Sequence, residues 1–261
     1  MRALDIAGTG MQAQQTNVEV ISNNIANMST TGYKRRQAEF QDLIYQNLRR
    51  VGSNSSDSGT IVPSGAQVGL GVKTAAIYRI SEQGSLQQTS NSLDLAIQGN
   101  GYLQVTLPSG DTAYTRDGTL ALAPDGTIVT ADGYAIVPGI TVPNNAQSIT
   151  INPSGQVQVA VAGQTATQTV GQIQLAVFPN EAGLDAQGDN LFVQTTASGD
   201  PTTGTPGAAG FGSVMQGFVE SSNVNSVTEI TSLITAQRAY EMNSKVITAA
   251  DDLMQTLNNL K

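Results

Sequence analysis

Ser226-Val227-Thr228-Glu229-Ile230-Thr231-Ser232-Leu233 opens a stretch that runs to Leu260 without a glycine or a proline, and its reading decides the fold. Leu233, Tyr240, Ile247 and Met254 recur every seven residues, and Ala236, Asn243, Ala250 and Leu257 follow each of them by three. Alternating steps of three and four put these side chains on one stripe of a helix, the pattern of a coiled-coil seam. Ser226 followed by Glu229 fits a capping box, in which the serine oxygen satisfies a free helix N–H and the glutamate reaches back. At ~1.5 Å per residue the helix is roughly 50 Å long.

The opposite end of the chain repeats the pattern. Leu4, Met11, Val18 and Ile25 fall seven apart, with Ala7, Gln14, Ile21 and Met28 between them. Gly8, Gly10, Thr16, Asn17, Ser22, Asn23, Asn24 and Asn27 make this a poor helix in isolation. It is therefore expected to need partners along most of its length and to be frayed or disordered in a free monomer. Gly32 in Ser29-Thr30-Thr31-Gly32 is placed to end it in the left-handed conformation. Lys34, Arg35 and Arg36 follow, as a solvated basic surface or as partners for acids of another subunit such as Asp251 and Asp252. Phe40, Leu43, Ile44, Tyr45 and Leu48 suggest a short further helix.

Between Arg49 and Gly71 periodicity disappears, and Gly52-Ser53-Asn54-Ser55-Ser56-Asp57-Ser58-Gly59 reads as a mobile connector. From Val72 to Phe218 the chain reads as short strands. Leu93, Leu95 and Ile97 alternate with Asp94 and Ala96, and turn signals recur at Gly99-Asn100-Gly101, Ser109-Gly110, Asp117-Gly118, Asp125-Gly126, Asp132-Gly133 and Pro138-Gly139. Further strands are expected at 148–151, 156–161, 173–178 and 191–193. The resulting fold class is α+β: N- and C-terminal coiled-coil-type helices packed together, with a central all-β domain of short antiparallel strands. The expected divisions are 1–33 with 219–261 as a helical domain, 34–71 as an extended connector and 72–218 as the β domain.

Composition removes several classes of chemistry. The 261 residues include no cysteine, histidine or tryptophan, which leaves no Cys/His zinc site, no Ser-His-Asp triad and no thiol nucleophile. A net charge of -8 argues against nucleic acid as a partner, and no apolar run approaches the ~20 residues that span a bilayer. Met1-Arg2-Ala3-Leu4-Asp5 places a carboxylate where the apolar core of a cleavable signal peptide would begin. From Ser81 to Glu220 the only basic residue is Arg116. No cofactor is implied. The best enzymatic arrangement is a carboxylate pair such as Asp117 with Asp125 acting on a glycan, but aspartates directly before glycine are also what turns require. Asn243, on the seam itself, is the kind of buried amide that fixes register.

Three separated stretches resemble the signatures of bacterial flagellar rod and hook proteins. They are Ser22-Asn23-Asn24-Ile25-Ala26-Asn27 through Thr31-Gly32-Tyr33-Lys34; Ser92-Leu93-Asp94-Leu95-Ala96-Ile97-Gln98-Gly99-Asn100-Gly101-Tyr102 with Tyr114-Thr115-Arg116-Asp117-Gly118; and Gly217 through Glu220 with Ser222-Asn223-Val224-Asn225 and Gln237-Arg238-Ala239-Tyr240-Glu241. Within that family the chain length and the stretch from Ile61 to Val72 look most like the distal-rod branch. Proximal rod and hook paralogues are the alternatives, and a secreted β-rich glycan-binding or glycan-hydrolysing protein is the alternative of another class. The resemblance implies a non-enzymatic subunit that polymerises with itself into a rigid helical tube and carries torque from motor to hook. It implies contacts with the proximal rod protein, the hook protein or hook junction and the surrounding P- and L-ring bushing. It further implies type III export without a cleaved signal, a place across the periplasm, and no membrane insertion. Subunit packing is then expected at Leu4, Met11, Val18, Ile21, Ile25 and Met28 and at Leu233, Ala236, Tyr240, Asn243, Ile247, Ala250, Met254 and Leu257. The family-motif residues are Asn24, Ala26, Asn27, Thr31, Gly32, Tyr33 and Lys34.

Overall fold

The computed structural model describes residues 2–49, 64–163 and 166–259. The side chain of Leu257 and most of the connector, including all of 52–59, lie outside the described residues. The architecture is α+β, with a helix at each end of a series of short antiparallel strands. The chain forms two compact units, one from 1–25, 36–78 and 225–261 and the other from 26–35 and 79–224.

The first unit holds helix α1, Arg2–Ala26, and helix α2, Ser226–Asn259. Two contacts fix their relation. Gly10 of α1 lies against the side-chain amide of Asn243, and Asn24 donates to Glu229 at 3.1 Å. Both pairs are spaced by the same number of residues along each helix but in opposite directions, so the helices run antiparallel in register through about four turns. The remaining strands of this unit form narrow ribbons, Arg36–Asp42 with Val72–Arg79 and Tyr45–Arg49 with Ala66–Gly69. The sequence suggested a helix across Phe40–Leu48, and strands stand there instead. A 3.6-residue spacing of apolar side chains over so few residues is too short to hold a helix by itself, and pairing with Val72–Arg79 before Leu43 and with Ala66–Gly69 after Ile44 satisfies the backbone instead. One anchor ties the ribbons to α1: Val72 N–H donates to Thr9 Oγ1 at 3.3 Å, while the Gly71 carbonyl accepts from Leu43.

The second unit is built on a nine-stranded sheet. Its main path runs Asp185–Gly188, Leu191–Val193, Thr112–Thr115, Tyr102–Thr106, Ala135–Ile136, Ile128–Thr130 and Leu120–Leu122, and Leu175–Val177 joins Tyr102–Thr106 while pairing Thr202–Gly204. A three-stranded meander, Ala146–Ile151, Gln156–Val161 and Gln168–Gln172, lies alongside in sequence. Period-two alternation is clearest in Gln156–Val161, where Val157, Val159 and Val161 are buried and the residues between them are not. These valines join Leu95, Ile97, Leu103, Val105, Ile173 and Leu175 in one apolar core. A second cluster of Tyr102, Tyr114, Phe178 and Leu184 forms on the opposite face of the central strands, with the Tyr114 and Phe178 rings edge to face at 4.7 Å.

Three of the six turn signals are hairpins, and Gly99-Asn100-Gly101 and Pro138-Gly139 join strands that do not pair with each other. Gly110, Gly126 and Gly133 take positive φ between paired strands. Asp117-Gly118 is an exception. The strands flanking it, Thr112–Thr115 and Leu120–Leu122, do not pair with each other. Gly118 is required because its backbone lies directly against the Leu95 carbonyl, where a Cβ has no room, and it accepts the Leu95 N–H at 2.9 Å.

Candidate assembly site

The start of α2 differs from the capping box expected at Ser226. Asn225 is the cap: its Oδ1 accepts from the N–H groups of Val227 and Thr228 at 3.1 and 3.2 Å. Glu229 is thereby free to face α1. It is 6% exposed and takes the Asn24 amide, while Asn24 also donates to the Arg36 carbonyl and accepts from the Arg36 N–H, both at 2.8 Å. Asn24 is 1% exposed, and one short amide thus joins α1, α2 and the first strand of the ribbon.

Around this junction the expected packing residues divide. Ile21 and Ala236 are buried, together with Ala7, Ala13 and Val20. Leu4, Met11, Val18, Ile25, Leu233, Asn243, Ile247, Ala250 and Met254 are half-buried. Met28 lies beyond the end of α1 and is exposed, and Tyr240 is exposed as well. α2 also carries Val227, Ile230, Ile234, Met242, Val246 and Leu253 at 46–73% exposure. Set against the direction of Glu229, Ala236 and Asn243, Val227, Ile230, Ile234 and Met242 fall on the far side of the helix at 100° per residue, whereas Val246 and Leu253 lie on its flank and Arg238, Lys245 and Asp252 share the far side. α2 therefore exposes apolar side chains away from α1, most densely at its start.

In the second unit the motif residues meet at Glu220. Its Oε1 accepts from Lys34 Nζ at 2.6 Å and from Gly84 N–H at 2.9 Å, and its Oε2 accepts from Arg116 Nε at 3.0 Å. Its backbone carbonyl accepts from Gly32 N–H at 2.7 Å. All three charged side chains are at most 5% exposed. Lys34 also donates to the Glu82 carbonyl, and Arg116 Nη1 donates to the carbonyls of Gly99 and Gly101 at 2.9 and 2.6 Å, which gives the Gly99-Asn100-Gly101 bend its purpose. Burial pulls the Lys34 ammonium below the ordinary lysine pKa, a shift that the Glu220 carboxylate partly opposes. Gly32, at φ +69°, sits on the Arg116 peptide, where a Cβ would come within 2.9 Å of the carbonyl carbon.

Lys34 is thus neither a solvated surface charge nor a residue facing outward to another subunit. The other motif positions support the same loop. Asn27 accepts from Thr30 through its carbonyl and its side chain, the Thr31 carbonyl accepts from Asn190, and the Tyr33 carbonyl accepts from Asn223 N–H. Ala26 is exposed and makes no such bond among the described residues. Asn223 fastens the adjoining loops by accepting from Arg35 N–H and donating to the carbonyls of Ile80 and Glu82. The roles of Glu220 and Asn223 were not assigned from sequence, and Glu229 was assigned to the cap of α2 instead of to Asn24. Arg116 left a signal: a lone base in a long acidic, apolar stretch needs a buried anion.

The carboxylates weighed for catalysis do local work. Asp117 accepts from the Thr119 N–H and hydroxyl and from Asn190, and Asp125 accepts from the Thr127 N–H and hydroxyl. The Thr127 bonds hold Asp125 below the usual carboxylate pKa, the wrong direction for a general acid. A cleft of about 730 Å³ in this unit is lined by Asp111, Asp189, Tyr114 and Tyr134, and by neither aspartate of the pair.

Comparison with known proteins agrees with this geometry. Residues 4–34 match the model described as flagella basal body rod protein, 96–159 that of the flagellar hook protein FlgE/F/G D1 domain, and 215–260 that of the flagellar basal body rod FlgEFG protein C-terminal. Flagellar basal-body rod protein FlgG of Caulobacter vibrioides is 60% identical over 261 residues, with all of both chains covered. The FlgG proteins of Agrobacterium fabrum and of Buchnera aphidicola from Acyrthosiphon pisum are 53% and 47% identical, covering 100% and 99% of both chains. The three matched segments are those that supply Lys34, Arg116 and Glu220, and the chain belongs to the FlgG family of flagellar basal-body rod proteins, structural subunits of the rod.

Proposed function

We propose that this chain is the distal-rod subunit, polymerising with copies of itself into a rigid helical tube that carries torque from the motor to the hook. The observation that carries the reading is the set of large apolar side chains that α2 leaves exposed. Val227, Ile230, Ile234, Met242, Val246 and Leu253 stay exposed after α1 has docked, and so many exposed large apolar side chains on one helix favour an interaction surface. Neighbouring subunits supply the missing cover, so that Leu233, Tyr240, Ile247 and Met254 act as assembly residues as well as packing residues. The ribbons of the first unit add to the demand, since Ile44, Tyr45, Leu48, Ile77 and Tyr78 are exposed on two-stranded pairs that are marginal by themselves.

In this reading the proximal rod protein lies at one end and the hook protein or hook junction at the other, with the P- and L-rings around the shaft. The chain crosses the periplasm after type III export without a cleaved signal, and it performs no catalysis. No described helix is long and apolar enough to cross a membrane. By the family resemblance, the connector near 51–70 braces neighbouring subunits and stiffens the rod. The test is circular dichroism on purified full chain at dilutions where sedimentation shows monomer, and again after polymerisation. Helix content that rises with assembly is expected. Full helicity in the dilute monomer, with no polymer at any concentration, refutes the reading.

A further inference from the structure

Every charged group of the buried node comes from a different part of the chain. Arg116 and Glu220 are 104 residues apart, and Lys34 and Glu220 are 186 apart. The two cations come first in the chain. The one carboxylate that meets both arrives only with the strand Phe218–Glu220, which pairs Leu86–Gln88. Without that strand, Lys34 and Arg116 would be two like charges enclosed together, and Glu181, another acid whose charge reaches Lys34, is engaged by the Tyr102 hydroxyl at 3.1 Å.

A complete buried ion pair adds little net stability over apolar groups of equal volume, whereas an incomplete one is strongly penalised. The node therefore contributes least by strengthening the finished unit and most by disfavouring every unfinished one. Glu220 is well placed for this, because its side chain and backbone also hold Gly84 and Gly32.

We propose that Glu220 is a closing counterion that makes the second unit fold only when its last strand docks, so that the loop carrying Gly32 and Lys34 and the sheet carrying Arg116 lock in one step. Earlier chain segments are held open until that residue is present. The device goes beyond the rod-subunit reading and does not depend on it, since all its groups lie within one unit.

The test is pulsed hydrogen exchange during refolding of the full chain from urea. In the unaltered chain, amides of Tyr102–Thr106, the Gly32 N–H and amides of Phe218–Glu220 should gain protection in the same kinetic phase. Glu220→Gln keeps the shape and removes the anion, and it should raise the opening equilibrium constant of the Tyr102–Thr106 amides on the order of a hundredfold. Combining it with Lys34→Met and Arg116→Met removes the stranded cations. That triple variant should recover part of the lost protection, since the carbonyls of Glu82, Gly99 and Gly101 also lose their donors, and let Tyr102–Thr106 become protected ahead of Phe218–Glu220. Protection of Tyr102–Thr106 well before Gly32 and Phe218–Glu220 in the unaltered chain overturns the proposal, and that reading needs no variant to fold. A Glu220→Gln chain that exchanges like the unaltered one overturns it equally.

Discussion

Asn24→Ala separates two explanations of what holds α1 in place, because they predict opposite signs. Alanine is the best helix former and asparagine a weak one, so local propensity alone would make the variant more stable by about 0.5 kcal/mol. The junction predicts the reverse. Removing the amide deletes two bonds to the Arg36 backbone at 2.8 Å and one to the Glu229 carboxylate at 3.1 Å. The backbone bonds are worth about 1 kcal/mol each and the bond to a charged acceptor about 1.5–3 kcal/mol. Water can replace partners at Arg36, which is exposed, but reaches the 6%-exposed Glu229 poorly. Net of propensity, a loss of about 3 kcal/mol is expected. The assay is urea unfolding of the polymerised full chain followed by ellipticity at 222 nm, where an m-value of about 2–3 kcal/mol/M puts the midpoint about 1 M lower. Ser22→Ala, on the exposed face of the same helix, is the control and should move the midpoint slightly upward. A rise in the Asn24→Ala midpoint similar to that of Ser22→Ala would show that the junction contributes nothing.

Gly32→Ala should destabilise the second unit by more than 2 kcal/mol, since it combines an unfavourable positive φ with a Cβ pressed on the Arg116 peptide; a thermal midpoint unchanged within 1 °C would contradict this. Leu103→Ala removes a side chain with no exposed surface from the centre of the sheet and should cost about 3–5 kcal/mol in urea unfolding, with a value under 1 kcal/mol counting against the assigned core. Asp117→Asn and Asp125→Asn should leave motility on soft agar intact, because both carboxylates serve local turns; paralysis with normal folding would reopen the catalytic alternative. Alkaline stability should fall above pH 10. Burial first, and then the Glu181 charge, keep the Tyr102 phenol protonated in the folded chain well above the ordinary value of 10, so the unfolded chain releases a proton that the folded one retains. The slope is about 1.4 kcal/mol per pH unit, and Lys34 acts in the opposite sense below 10.5 because its folded pKa is lowered. Urea midpoints at pH 9 to 11.5 should decline less steeply in Tyr102→Phe, and equal slopes would refute the assignment.

The helices and most strands were legible because each rests on a local period. Leu233 to Met254 repeats every seven residues, and Val157 to Val161 alternates in twos, and both patterns are properties of neighbouring residues. The Phe40–Leu48 segment was misread because its apolar spacing suits a helix while its backbone is claimed by two partners that no local pattern announces, Val72–Arg79 for the strand ending at Asp42 and Ala66–Gly69 for the strand beginning at Tyr45. The cap of α2 was misplaced by one residue for a related reason. Ser226 and Glu229 have the capping-box spacing, but Glu229 is engaged by Asn24, 205 residues away, and Asn225 supplies the cap. The Asp117-Gly118 pair looked like the other Asp-Gly turns, although its glycine answers to a strand edge and not to a hairpin.

The assembly surface and the ionic node differ in how far sequence could reach them. Apolar side chains off the seam can be recognised from α2 alone, since Val227, Ile230, Ile234 and Met242 leave the stripe that Leu233 and Ala236 define. Which side α1 takes could not be read from the pattern; small residues decide it, as Gly10 admits Asn243 and Ala7, Ala13 and Ala236 let the backbones approach. Ile230, Ile234, Met242 and Leu253, which are larger, are left exposed. At the node, by contrast, Lys34 and Glu220 each look like an ordinary surface charge in its own segment, and Arg116 stands out only as the lone base of a long stretch, with nothing local to name its partner. Their meaning appears only when three distant stretches meet, which is why the motifs could signal a family before any of their charged residues could be given a role.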